Sequence, residues 1–126
     1  METNKRFTQL EFYKALQQFT GTKNYYLHIF NQQYLFLTDG AQFIRKEAKA
    51  SWLFDRILCL QKYRKISKLS FQIWRIRKES KRQWILGCLD KDANVLYGKR
   101  IGNIDFPVDE LELWIIDRVA LLPLEL

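Results

Sequence analysis

Residues 71–101 read FQIWRIRKESKRQWILGCLDKDANVLYGKRI, and this stretch decides the fold class. In its first part, Phe71, Ile73 and Arg75 fall on one side of an extended chain and their neighbours fall on the other. Two further apolar runs follow, each preceded by a short polar segment that is typical of a hairpin loop. The stretch therefore predicts an antiparallel meander of three strands, at residues 71–76, 83–89 and 95–101.

A first helix is predicted over residues 9–19. Thr8 stands three residues before Glu11, which is the capping-box spacing, and apolar residues then recur at helical intervals. Thr20-Gly21-Thr22 follows and supplies a residue that adopts positive φ easily, so the helix is expected to end there.

Two short strands and a longer helix are predicted before the meander. Residues 25–30 and 34–37 are aromatic and β-prone, with a polar turn between them. Asp39-Gly40 predicts a second tight turn, since this pair tolerates left-handed backbone geometry. Residues 41–45 fit either a strand or the start of a helix. A largely buried helix is then predicted over residues 48–61.

The C-terminal part allows two interpretations. Residues 110–115 alternate apolar and other side chains, which favours a strand, although an amphipathic helix over 109–118 is an alternative. Asp117-Arg118 then predicts a turn into an apolar tail, residues 119–126, which begins with Val119 and ends with Leu126. We expect one small α+β domain over residues 1–126, without linker or repeat. Its antiparallel meander sheet would have about five strands packed against one or two helices.

The composition is typical of a folded protein. Hydrophobic residues make up 48% and aromatic residues 15% of the 126 residues, which excludes the disordered class. No apolar run approaches the roughly 20 residues that a membrane helix needs, and the first residues lack a secretory apolar region. We therefore expect no membrane association and a cytoplasmic location. Cys59 and Cys88 match no metal-binding spacing and are expected to be reduced and buried.

The formal charge of +7 is spread unevenly along the chain. Residues 62–102 hold twelve basic and three acidic side chains, whereas residues 103–126 hold one basic and six acidic side chains. This distribution indicates either an anion-binding surface or two segments that neutralise each other in the fold. The candidate nucleic-acid-binding residues are the cations of the basic segment 62–82: Lys62, Arg64, Lys65, Lys68, Arg75, Arg77, Lys78, Lys81 and Arg82.

Two functional hypotheses follow from these residues. In the first, a small basic accessory protein binds nucleic acid through residues 62–82, with Tyr63, Trp74 and Trp84 stacking on unpaired bases if they are exposed. In the second, the protein is an adaptor or an inhibitor of a larger assembly, without catalytic activity, and binds a partner or a second copy of itself through residues 119–126. The basic residues would then be a solvated surface, and the tryptophans would belong to the core.

No catalytic constellation is visible, so no enzymatic activity and no cofactor are expected. The single histidine, His28, lies on a predicted strand, and no nucleophile or carboxylate stands at a spacing that would activate it. Only an aspartate brought close by the fold would give it a catalytic role.

A metal ion is not predicted either. Asp90, Asp92 and Asn94 open like a calcium-binding loop, but Val95 and Ile101 occupy the positions of the glycine and glutamate that such a loop requires. One histidine and two separated cysteines do not make a tetrahedral zinc site.

Six short motifs, in order along the chain, also resemble a family of short bacterial proteins catalogued as domain of unknown function 6876. The resemblance covers roughly residues 10–126, and it implies a fold but no activity, because the family has no assigned catalytic residues. One departure is that Arg118 stands where the family usually has glycine after Asp117. The matching residues are Phe19-Thr20-Gly21-Thr22 with Tyr25-Tyr26 and His28, Thr38-Asp39-Gly40, Ala50-Ser51-Trp52-Leu53-Phe54-Asp55, Phe71-Gln72-Ile73-Trp74, Asp105-Phe106-Pro107 and Leu122-Pro123-Leu124-Glu125.

Overall fold

The computed structural model describes residues 7–126. In chain order its elements are α1 (Gln9–Leu16), β1 (Tyr26–Phe30), β2 (Gln33–Leu37), α2 (Asp39–Glu47), α3 (Ser51–Leu60), α4 (Arg64–Ser67), β3 (Phe71–Ser80), β4 (Gln83–Leu89), β5 (Val95–Gly102), β6 (Glu110–Ile116), β7 (Val119–Leu121) and a 3-10 helix (Pro123–Glu125). The α+β class is confirmed.

The predicted capping box begins α1. Thr8 Oγ1 accepts a hydrogen bond from the Glu11 amide at 3.1 Å, and Glu11 Oε1 accepts one from the Thr8 amide at 2.9 Å. The helix ends at Leu16, three residues before the predicted end. Beyond it the backbone tightens, because the amide of Phe19 bonds to the carbonyl of Leu16 three residues back, at 3.2 Å.

All seven strands form one sheet, in the order β1-β2-β7-β6-β3-β4-β5. The predicted meander is confirmed, since β4 pairs antiparallel with both β3 and β5. The expected sheet of about five antiparallel strands is wrong in two respects: residues 7–126 form seven strands, and β2 runs parallel to β7. Because β7 lies between β2 and β6, it joins the N-terminal hairpin to the rest of the sheet.

The helices pack against one face of this sheet, which we call the covered face. Trp74, Leu86 and Leu113 point to the covered face and form one core with Phe54 and Ile57 of α3. The alternate strand positions point away from the helices and form the open face. The described residues include three α-helices of eight or more residues and the single turn α4, which is more than the one or two helices predicted. No helix among residues 7–126 is long and apolar enough to cross a membrane.

Asp39-Gly40 opens α2 instead of forming the predicted tight turn. Thr38 caps the helix, with its Oγ1 accepting a hydrogen bond from the Ala41 amide at 3.2 Å. Gly40 is required for space and not for positive φ, because a Cβ at this position would lie 2.6 Å from Glu125 Oε1 and 2.7 Å from Leu122 Cδ1. Residues 41–45, for which the sequence allows strand or helix, are therefore helical.

The turn between β6 and β7 is the predicted two-residue turn. Asp117 and Arg118 have φ angles of 48° and 68°, both in the left-handed region, and Ile116 pairs with Val119 directly across the turn. The position of Arg118 is one that favours glycine, and here an arginine occupies it. Since β6 is a strand, the alternative helix over 109–118 is wrong.

The apolar tail, residues 119–126, belongs to the interior of the fold. Ala120 is fully buried within β7, and of the tail's large apolar side chains only Leu124 and Leu126 are strongly exposed, at 49% and 77%. A partner could pair with the backbone of β7 only after removing that strand from between β2 and β6. Binding through β7 would therefore require the sheet to open, while Leu124 and Leu126 are exposed, and partner binding by this tail stays a prediction.

Candidate binding surfaces

Four cations at the end of α3 and in α4 form the first candidate surface, which we call the α4 cluster. Lys62, Arg64, Lys65 and Lys68 are all exposed, while Ile66 in their midst is fully buried and anchors the turn to the core. Within residues 7–126, none of the four forms an ion pair with a carboxylate. Their positive field is therefore not cancelled locally.

The remaining five candidates lie on β3 and on the hairpin that leads into β4. Arg75 is half-buried and pairs with Glu112, with Nε 3.0 Å from Oε1. Arg77 lies opposite Glu110 in the sheet. The acidic C-terminal segment thus neutralises part of the basic segment, as the second interpretation of the charge pattern requires. Four of the five candidates are exposed, and we call them the tip cluster: Arg77, Lys78, Lys81 and Arg82.

The two clusters lie at opposite ends of β3. Arg77 lies six residues after Phe71, the first residue of the strand, so at about 3.3 Å per residue the strand separates the two clusters by roughly 20 Å. The nine candidate residues, continuous in sequence, therefore form two surfaces in the fold and not one.

Of the three aromatic residues proposed to stack on bases, only Tyr63 is exposed. Its exposed fraction is 44%, and the Nζ of Lys62 lies 5.3 Å from the centre of its ring. Trp74 and Trp84 are 1% and 2% exposed and belong to the core. The interpretation of these tryptophans as core residues is confirmed.

A cleft of about 540 Å³ lies beside the α4 cluster. Lys68 and Arg118 line it together with the hydroxyl groups of Ser67 and Ser70, and Leu35 contributes to its apolar wall. This volume falls within the range of small-ligand sites, roughly 300–1,000 Å³. The lining also includes the carboxylate of Asp117, so the two cations exceed the acidic groups of the cleft by one and leave it weakly positive.

His28 is buried on the covered face of β1, with 6% exposure. Its Nε2 lies 2.8 Å from Asp55 Oδ1, and its Nδ1 lies 2.9 Å from Nη1 of Arg45. Because a guanidinium only donates, Nδ1 must accept, and Nε2 carries the proton that is donated to Asp55. The fold thus brings His28 to an aspartate, but both ring nitrogens are already engaged in holding β1 against α2 and α3.

A second polar group ties the loop before β1 to the start of α2. Asp39 accepts hydrogen bonds from the Lys23 amide at 2.9 Å and from the Tyr26 hydroxyl at 3.1 Å, while its own amide donates to Thr22 Oγ1 at 2.8 Å. The bond from the Lys23 amide holds the pKa of Asp39 below its ordinary value, and the bond to Asp39 raises the pKa of Tyr26. Both pKa shifts result from the hydrogen bonds that hold the loop before β1 to the start of α2.

The open face of the hairpin β1–β2 is a surface that sequence reasoning missed. Leu27 and Ile29 of β1 lie opposite Phe36 and Tyr34 of β2, and these four side chains are 40–63% exposed. The available signal was that residues 25–30 are apolar at almost every position, so both faces of the strand are apolar. In a fold whose helices cover one face, such a strand leaves an apolar surface in solvent.

No group of three or more metal-ligating side chains exists in the described part of the chain. Asp90 instead closes the β4–β5 loop, since its Oδ1 accepts hydrogen bonds from the amides of Asp92 and Asn94, each at 2.9 Å. These residues therefore form a turn, as the sequence indicates.

The two cysteines are free thiols, with Cys88 fully buried and Cys59 partly accessible. Burial, with a smaller effect from Asp90, raises the pKa of Cys88 to about 12. Only about one in ten thousand Cys88 side chains is then a thiolate at pH 8.

We predict that iodoacetamide at pH 8 alkylates Cys59 in the native protein and Cys88 only after urea unfolds it. Peptide mass spectrometry checks this, and equal native labelling of the two thiols would contradict the burial of Cys88.

A family model matches residues 10–126, and its description is a family of unknown function, DUF6876. The chain belongs to this family. The match covers nearly the whole of the described structure, so the fold above is that of a DUF6876 protein. No curated protein and no solved structure matches the chain. Five residues of the motifs that resemble this family form the hydrogen bonds described above between the segment around β1 and the helices α2 and α3. They are Thr22, Tyr26, His28, Asp39 and Asp55.

Proposed function

We propose that the protein binds nucleic acid and that the α4 cluster is its principal contact with phosphate groups. The observation that carries this proposal is the group of four exposed cations within seven residues, none of them paired with a carboxylate among residues 7–126. Cations without local partners release the counterions of a nucleic acid backbone when they bind it, and this release drives association.

The surroundings of the α4 cluster support the same proposal. Tyr63 presents an exposed ring between Lys62 and Arg64, where a base can stack on it. The adjacent cleft carries Lys68 and Arg118 on its wall, next to serine hydroxyls that can bond to a phosphate or a sugar. An unpaired strand would use both features, so we expect the protein to prefer a single strand to a duplex.

The tip cluster is the natural internal control for this proposal. It also has four exposed cations, but Lys78 lies over the buried ring of Trp84, 6.0 Å from its centre, and Arg77 lies opposite Glu110. No aromatic ring exposed like that of Tyr63 accompanies it among the described residues of the hairpin. We therefore expect it to add general attraction and little specific contact.

We predict that reversing Lys62, Arg64 and Lys65 to glutamate weakens binding of a labelled 20-nucleotide single strand about 100-fold or more. The slope of log affinity against log salt should fall by about two to three, because each phosphate contact contributes slightly less than one. Fluorescence anisotropy between 50 and 200 mM salt measures both quantities.

The matched control reverses Lys78, Lys81 and Arg82, which changes the net charge equally. Equal losses in the two variants would show attraction by net charge alone and would contradict a site at the α4 cluster. Binding by the native protein that does not respond to salt, or no binding at 50 mM salt, would overturn the function itself.

A second proposed function is a protein-interaction module, and the observation that favours it is the exposed apolar hairpin. Soluble monomers rarely leave a contiguous apolar surface of this kind uncovered unless it binds something. A photo-cross-linking amino acid in place of Ile29 should capture a protein neighbour, whereas one in place of Val95, which is also strongly exposed on a strand, should not. Equal capture at both positions would count against this function.

A further inference from the structure

The apolar surface on the open face is made of side chains paired across β1 and β2. Leu27, Ile29, Tyr34 and Phe36 have exposed fractions of 51%, 63%, 41% and 40%, and Tyr25 beside them is 60% exposed. We call these five residues the apolar patch. Towards the sheet interior it continues onto Val119, which pairs with Phe36.

The side chains of the apolar patch are uncharged, and one cation, Arg118, borders them. Residues 24–37 contain no aspartate, glutamate, lysine or arginine, although the chain as a whole has a charge of +7. The guanidinium carbon of Arg118 lies 4.9 Å from the centre of the Tyr34 ring, so this cation stacks on one aromatic residue of the patch. The tip cluster, which holds a larger part of the charge, lies on the strands at the other end of the sheet from β1, so two copies of the chain can meet at the patch without bringing their tip clusters together.

The area of the apolar patch fits a dimer. At roughly 200 Å² for a side chain of this size, the exposed fractions correspond to about 500 Å² in each copy. Two copies would bury about 1,000 Å² from these side chains alone, and their half-buried neighbours would add to it. The side chains of the patch would thus supply most of the roughly 1,200 Å² at which specific interfaces begin.

The geometry favours contact between faces over contact between edges. The carbonyl of Leu27 already accepts a hydrogen bond from Nη1 of Arg45 at 3.3 Å, so the edge of β1 is partly occupied. Pairing along that edge would also leave the patch in water. Two sheets packed face to face, about 10 Å apart, would bury it.

We propose that the protein forms a twofold symmetric homodimer in which the apolar patches of two copies pack against each other. The proposal rests on the second proposed function and names its partner as a second copy of this chain. A twofold axis suits a surface that is apolar except for Arg118 beside Tyr34, because each apolar residue meets a chemically similar one.

The test is sedimentation velocity of the full chain between 1 and 100 µM. The chain mass is 15.3 kDa, so the dimer should sediment as a species of about 31 kDa, which is twice that mass. Replacing Leu27 and Phe36 by threonine, which keeps the β propensity, should raise the dimer dissociation constant about 100-fold or more, because both residues lie near the centre of the contact. The matched control replaces Val95 and Leu126, which are exposed apolar residues outside the patch, and it should dimerise like the native chain.

Circular dichroism and thermal unfolding establish that each variant is folded. A native chain that stays monomeric at 100 µM overturns the homodimer. It leaves the protein-interaction function standing if cross-linking at position 29 still captures a different protein. A dimer that the Leu27→Thr and Phe36→Thr variant forms as well as the native chain overturns the proposed interface.

Discussion

Replacing Glu125 by alanine is expected to lower the free energy of unfolding by about 3 kcal/mol. The Glu125 carboxylate is 9% exposed and accepts hydrogen bonds from Thr38 Oγ1 at 2.6 Å, the Gly40 amide at 2.9 Å and the Leu122 amide at 2.8 Å. Its removal leaves three buried donors without a partner and takes a negative charge from the N-terminus of α2. Urea unfolding followed by circular dichroism measures the loss.

Leu124→Ala provides the control, since Leu124 lies next to Glu125 and is 49% exposed. Its replacement should change stability by about 0.5 kcal/mol or less. A similar small change for Glu125→Ala would mean that water replaces the carboxylate and that the C-terminus is not fixed by it.

A replacement of Gly40 tests the contact between Gly40 and Glu125 independently. Alanine normally favours a helix over glycine, but its Cβ would lie 2.6 Å from Glu125 Oε1. The Gly40→Ala variant is therefore destabilised in the native chain, and less so when Glu125 is already alanine, because only the contact with Leu122 Cδ1 then remains. Additive effects of the two replacements would contradict a direct contact.

Replacing Gln72 by leucine is expected to cost about 2 to 4 kcal/mol of stability, the second large effect. The Gln72 side chain is 4% exposed and makes a reciprocal amide pair with Gln61 at 2.9 and 3.0 Å. It also donates to the carbonyl of Ile66 and accepts from Nε1 of Trp74. Leucine has a similar size but leaves these buried polar groups without partners.

Gln83→Leu makes the same chemical change on β4, where the side chain is half-buried. Chemical denaturation should place this control within about 0.5 kcal/mol of the native chain. The Gln72→Leu variant should also shift the indole N–H resonance of Trp74 in a proton–nitrogen correlation spectrum. A variant as stable as the control would show that Gln72 does not hold α4 to β3.

The sequence predicted the parts of the fold in which contacts join near neighbours. The meander over β3, β4 and β5 follows from alternation and from loop composition, because each strand pairs with the next one along the chain. The capping box at Thr8 and the turn at Asp117-Arg118 are likewise local. Such signals lie within a few residues, so they can be read without knowing the tertiary structure.

The errors arise where distant segments meet. The spacing of Asp39-Gly40 suits a tight turn, and nothing local reveals that Glu125, 85 residues later, takes up the space beside Gly40. His28 and Asp55 are 27 residues apart and showed no spacing that indicates their contact. For the same reason nothing local in residues 119–121 indicates that this segment pairs with β2, which lies more than 80 residues earlier in the chain.

The sequence predicts nine candidate cations as one continuous segment, and their binding role stays a prediction. Their density along the chain gives no sign that β3 divides them into two clusters. Hydrophobic periodicity shows which face of a strand a residue occupies, but it does not show how far apart two groups of residues lie along that strand. The sequence does not reveal the apolar patch, because an apolar strand gives the same pattern whether one or both of its faces are covered.

The position of β7 also imposes an order of events during synthesis. The hairpin β1–β2 leaves the ribosome early, but the strand that docks it to the sheet ends at Leu121, 84 residues after Leu37. At roughly 5 to 20 residues added per second, the hairpin waits about 4 to 17 s for that strand. During this interval its apolar side chains have no sheet to join. These side chains therefore stay exposed on the nascent chain until β7 has emerged.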